Sequence, residues 1–65
     1  MYTIELIWNR EFNFRAYGGC HFVKEDAIKL AEAIYNSGDG ARVKEIRVVN
    51  EEGEVVWRPH YGTSL

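Results

Sequence analysis

A single cysteine, Cys20, among 65 residues leaves no internal disulfide to form. A single proline, Pro59, sits near the end of the chain and leaves the rest free to join helices and strands. No apolar run exceeds three residues, as in Leu6–Trp8 or Val55–Trp57, whereas a membrane-spanning helix needs about 20. The first residues show no basic stretch followed by an apolar one, so nothing there resembles a signal peptide. With the lone cysteine, this points to a soluble protein of a reducing, cytoplasmic compartment. An excess of either charge is missing too: ten acidic residues face eight basic ones, for a net charge of −2. Binding to nucleic acid draws much of its affinity from neutralising phosphates and ordinarily shows as a basic excess. A strong mimic of DNA would carry a larger acidic excess, so net charge favours neither.

The hydrophobic share of 46% against 28% charged is ordinary for a globular chain and far from the signature of disorder. At this length the chain makes one domain, with its core spanning about 2–59 and a loosely held tail at 60–65. A core of that size rarely yields more than about 3–5 kcal/mol of net stability, so small domains often lean on a partner.

Tyr2 to Trp8 alternates as a strand, with Tyr2, Ile4, Leu6 and Trp8 on one face and Thr3, Glu5 and Ile7 on the other. Phe12 to Tyr17 alternates as well. A loop of Asn9, Arg10 and Glu11 would set Trp8 opposite Phe12, Leu6 opposite Phe14, Ile4 opposite Ala16 and Glu5 opposite Arg15, gathering the large apolar groups on one side. Gly18 and Gly19 then read as a break. Lys24 to Ser37 carries Ala27, Leu30, Ala31 and Ile34 at helical spacing, with Val23 ahead and Ile28 and Tyr35 widening the stripe. Glu25 and Asp26 suit the positive end of the helix dipole, and Gly38 suits a left-handed cap. A final hairpin follows: Val43 to Val49, a turn of Asn50, Glu51, Glu52 and Gly53, and a strand ending before Pro59. The turn would pair Val49 with Val55, Val48 with Val56 and Arg47 with Trp57.

Strand, strand, helix, strand, strand is an α+β order, ββαββ, with one helix on a four-stranded, mainly antiparallel sheet. In element order it resembles the beta-grasp arrangement of ubiquitin-like and immunoglobulin-binding domains. Two alternatives remain: the third strand rather than the fourth beside the first, or a three-stranded βαββ sheet with 12–17 as loop.

Catalytic chemistry finds little to work with. Cys20 and His21 are neighbours, and adjacent side chains rarely aim at each other; adding His60 still falls short of a usual zinc ligand set. The glycine stretches GG and GDG match neither phosphate-binding fingerprint and read as turns. The expectation is therefore no enzyme, no metal and no cofactor.

Binding is the better use of these residues. If the helix covers Ile4, Leu6, Trp8, Phe12, Phe14, Ile46, Val48 and Val56, the other face would expose Ile7, Tyr17, Val49, Val55 and Trp57, framed by Glu5, Arg15, Glu45 and Arg47. An aromatic patch rimmed by charge is what interaction surfaces look like. The opposite parity would bury Val43, Val49, Val55 and Trp57 instead. The patch, with Ile7, Tyr17, Arg47, Val49, Val55 and Trp57 as its protein-binding residues, suits an inhibitor or adaptor of a larger protein or complex, or pairing of the chain with itself. Small anti-defence proteins such as anti-CRISPR proteins are of this size. A second use would stack bases of single-stranded nucleic acid on Tyr17 and Trp57, with Arg15, Lys44, Arg47 and Arg58 at phosphates. A third would let Glu51, Glu52 and Glu54, with Glu25, Asp26 and Asp39, imitate phosphate, although an acidic tip is also ordinary turn chemistry.

Overall fold

The computed structural model describes residues 1–37 and 42–59. Gly38, Asp39, His60 and the rest of the 60–65 tail therefore lie outside the described residues. Four strands and one helix follow in the expected order: β1 (Tyr2–Trp8), β2 (Arg15–His21), α1 (Lys24–Asn36), β3 (Val43–Val49) and β4 (Val55–Trp57). The helix packs on one antiparallel sheet of order β2-β1-β3-β4. Its central pair is β1 with β3, so the sheet adopts the alternative order weighed above.

β1 forms where its alternation places it, and Ile4 and Leu6 on its inner face are almost completely buried. β3 supplies the matching inner residues through the pairs Ile4–Val48 and Leu6–Ile46. Ala27 and Ala31 of α1 are buried above them. Alanines at these two positions let the helix backbone come close to the sheet, and larger side chains on either flank, Ile34 on one and Ile28 and Tyr35 on the other, close the sides. Leu30, expected in the buried stripe, lies outside it and is 41% exposed, because the helix meets the sheet along its alanines. The first turn has no side-chain cap, and at the far end the Ser37 hydroxyl donates to the Ile34 carbonyl at 2.8 Å.

The second strand is displaced from its expected place. Asn9 to Phe14 form a six-residue connection, closed by the Glu11 N–H donating to the Trp8 carbonyl at 2.9 Å and by an Arg15–Glu11 ion pair at 2.8 Å. Pairing then begins at Leu6–Arg15, followed by Glu5–Ala16 and Ile4–Tyr17. That is a one-residue slip from the expected register, and one residue exchanges the faces of a strand. Gly18 and Gly19 do not end the strand. They form a bulge between the pairs Ile4–Tyr17 and Thr3–Cys20, with Gly18 at φ +74°, a conformation that glycine adopts without steric cost. Phe12 and Phe14 are consequently not core residues, and Phe12 is 85% exposed.

The last turn is organised by Asn50, whose side-chain oxygen accepts the N–H groups of Glu52 and Glu54, with Gly53 left-handed at φ +82° as the turn demands. Val49 pairs with Val55 as expected. Val48, however, meets Trp57 rather than Val56, because the register shifts between Val48 and Val49. Trp57 thereby moves to the helix side, where it and Val56 pack against the core.

Four large side chains, Ile4, Leu6, Ile46 and Val48, are the largest that are fully buried. At about 1.5–3 kcal/mol for each, they form a thin core whose members are individually indispensable. Leu6→Ala should lower the unfolding free energy in urea titration by about 2–5 kcal/mol, whereas Phe22→Ala, at a residue 81% exposed, should change it by less than about 0.5 kcal/mol.

Candidate interaction surface

On the side of the sheet away from α1, register sets Thr3 opposite Val49, Glu5 opposite Arg47 and Ile7 opposite Glu45. The central pair is an ion pair: Arg47 donates from Nε at 2.8 Å and from a terminal nitrogen at 2.7 Å to the same oxygen of Glu5. The guanidinium also lies 3.6 Å from the ring centre of Phe14, which the β1–β2 connection carries onto this face. A planar cation fits between a carboxylate and an aromatic face, because it can stack and donate at once. Nearby, the Lys44 ammonium sits 5.5 Å from the ring centre of Phe12.

This arrangement corrects the expected open apolar face. Ile7 and Val49 do point away from the helix, yet each is only 5% exposed. Arg47 is engaged by Glu5 and Phe14. Val55, at 37%, is the one member of the expected patch both on this face and open. Trp57 is on the helix side and half-buried, beside a groove of about 230 Å³ lined by Glu32, Tyr35, Asn36, Arg58 and Pro59 as well. Tyr17 is also on the helix side, because it pairs with Ile4, and its ring meets Trp8 edge-on at 6.3 Å. The six residues expected to form one patch are therefore divided between two faces.

The acidic residues share an end of the molecule without acting as a free cluster. Glu25 and Asp26 lie in the first turn of α1, and Glu51, Glu52 and Glu54 lie on the β3–β4 turn. Glu51 is taken by the Met1 ammonium at 2.7 Å, whose hydrogen bond and positive charge hold the carboxyl below the usual glutamate range. Glu54 accepts from the Asn50 amide at 3.0 Å. Cys20 is exposed opposite Thr3, while His21 is opposite Tyr2. Successive residues of a strand point to opposite faces, so these two side chains diverge. Among the described residues, no group of three or more His, Cys, Asp and Glu could hold a metal ion, and no helix is long and apolar enough to cross a membrane.

Among the described residues, one continuous open edge lies along β2. All of its residues except His21 are exposed, and the strand is an edge, with β1 on one side only. The helix leaves most of it uncovered: α1 packs chiefly on β3 and β1, and its last turns approach β4, where Glu32, Tyr35 and Asn36 share a groove with Trp57 and Pro59. At 100° per residue, Leu30 falls on the opposite flank of α1, the flank that overlooks β2. Tyr17 on the strand, at 40%, and Leu30 on that flank, at 41%, are thus exposed apolar groups along this edge, with Phe22 and Val23 at the turn into the helix. Of these four, sequence reasoning singled out only Tyr17 for binding. The usable signal for the others was the pair Phe22–Val23 ahead of a helix whose buried stripe is already complete without them.

Removal of the Phe14 ring or of Arg47 should each loosen the closed face, and the two losses should not add. A double-mutant cycle of Phe14→Ala and Arg47→Ala, read by urea unfolding, should give a coupling of about 0.5–1 kcal/mol; a coupling of zero would mean that the stack does not hold this face shut. Comparison of the chain with protein-family models, curated proteins and solved structures finds no match in any of the three.

Proposed function

We propose that this chain is a non-catalytic protein-binding module that makes its contact through the β2 edge and the adjoining flank of α1. The observation that carries the reading is an exposed edge strand that carries exposed Tyr17, with exposed Leu30 on the flank of α1 toward it. An extended segment of a partner can add to such an edge through main-chain hydrogen bonds, while its alternate side chains rest on the apolar shelf. Affinity comes from the backbone and specificity from the shelf. A small inhibitor or adaptor of a larger protein works by contacts of this kind, and the anti-CRISPR type of inhibitor is one form of it.

Two further readings find less support. Stacking of nucleobases would need Tyr17 and Trp57 side by side with free cations, but Trp57 packs on the core and Arg47 and Arg15 are paired with Glu5 and Glu11. Mimicry of phosphate by the acidic end would rely on Glu51 and Glu54, both of which already serve contacts within the chain.

Photocrosslinking in the native cell tests the proposal. A benzophenone side chain placed at Tyr17 or Leu30 should give discrete crosslinked species, and the same group at exposed Glu32 or Glu45 should not. Absence of a discrete product from both Tyr17 and Leu30, or equal products from all four sites, would overturn the assignment of this surface.

A further inference from the structure

The two edges of the sheet are treated differently. β4 has three residues and is followed by Arg58 and Pro59, and proline has no N–H to offer a neighbouring strand. Short length and proline are the usual means of blunting an edge. β2 has seven residues and no proline, and its bulge at Gly18–Gly19 leaves Arg15–Ala16–Tyr17 as a straight paired segment. That segment is the open edge.

Its side chains are complementary to themselves. Arg15 opposes Leu6 and Tyr17 opposes Ile4, so both lie on the helix side, while Ala16 between them lies on the other. An antiparallel copy of the segment, related by a two-fold axis midway between the two Ala16 residues and normal to the sheet, would put Arg15 of each chain opposite Tyr17 of the other. Each guanidinium then meets a tyrosine ring, twice by symmetry, and the smallest side chain of the three sits at the axis. The arginines do not bring two bare charges together, because each is already paired with its own Glu11 at 2.8 Å. The same rotation keeps both helices on one side of the joined sheet. The two flanks bearing Leu30 would then face each other across a trough floored by both Tyr17 rings. One operation thus covers the Arg15–Tyr17 segment and the Leu30 flank of α1.

Resting on the reading of the β2 edge as a protein-binding surface, we propose that its occupant is a second copy of this chain, forming a two-fold dimer with a continuous eight-stranded antiparallel sheet. The contact is small. Three paired residues and one helix flank fall at or below the low end of specific interfaces, which bury about 1,200–2,000 Å² in total, so dissociation belongs in the micromolar range or weaker.

Sedimentation equilibrium of the full chain, from about 10 μM to about 1 mM to span that range, reads the outcome directly. The weight-average mass should rise from 7.5 kDa toward twice that value. Ala16→Lys places a cation beside Glu5 within the chain but opposite its own copy at the axis, and Leu30→Glu sets like charges across the trough. Each should weaken association at least about tenfold while leaving the circular dichroism melt of the monomer in place. A wild-type mass that stays at 7.5 kDa throughout, or association that both variants leave unchanged, would overturn the dimer. In either case a crosslink from Tyr17 or Leu30 to a heavier species would leave the binding-module reading standing, whereas no crosslink would end both.

Discussion

Close approach of α1 to the central strand pair is the constraint on which the rest of the molecule depends. Ala27 and Ala31 let the helix settle onto Ile4, Leu6, Ile46 and Val48, and those residues come from β1 and β3 alone. A single helix of 13 residues laid on a four-stranded sheet cannot cover every strand. It covers the middle pair, and its last turns approach β4, where Tyr35 and Trp57 fill the side. β2 is what remains uncovered. The open surface is thus a by-product of where the helix can pack.

The opposite side of the sheet has no helix and is closed by other means. Ile7 and Val49 lie there diagonally, with the Glu5–Arg47 pair between them and the Phe14 ring against the guanidinium. A long arginine side chain covers apolar surface with its stem while its charged end stays paired. This also accounts for the Asn9–Phe14 connection, which is longer than a tight hairpin and spends its two phenylalanines on Arg47 and Lys44. The face that pattern alone marks as the binding side is therefore largely sealed.

Much of the architecture was legible from residue order. The alternation of Tyr2–Trp8, the helical spacing around Ala27 and Ala31, and the Asn50–Gly53 turn each reflect a local rule, and each element formed where its rule places it. The second strand did not, because Phe12, Phe14 and Arg15 alternate as well as any strand while their positions are decided by distant Arg47 and by nearby Glu11. The two glycines illustrate the same limit: a pair that usually marks a turn was absorbed as a bulge, and both outcomes suit glycine. Trp57 changed face through a register shift between Val48 and Val49, and with Val55 and Val56 identical in kind, no residue marks it. The candidate surface was accordingly half legible. Residue order points to Tyr17, but on the opposite face, and places Leu30 in a stripe that Ala27 and Ala31 complete without it.

The central claim, that β2 is the open edge through which the domain associates, can be followed amide by amide. Hydrogen exchange monitored by NMR should show β1 and β3 amides protected at every protein concentration, because their protection belongs to the fold. Amides of Arg15–Tyr17 that do not face β1 should exchange freely in dilute solution and slow as concentration rises. Exchange along β2 that is independent of concentration, and unaltered by any bound partner, would contradict the account.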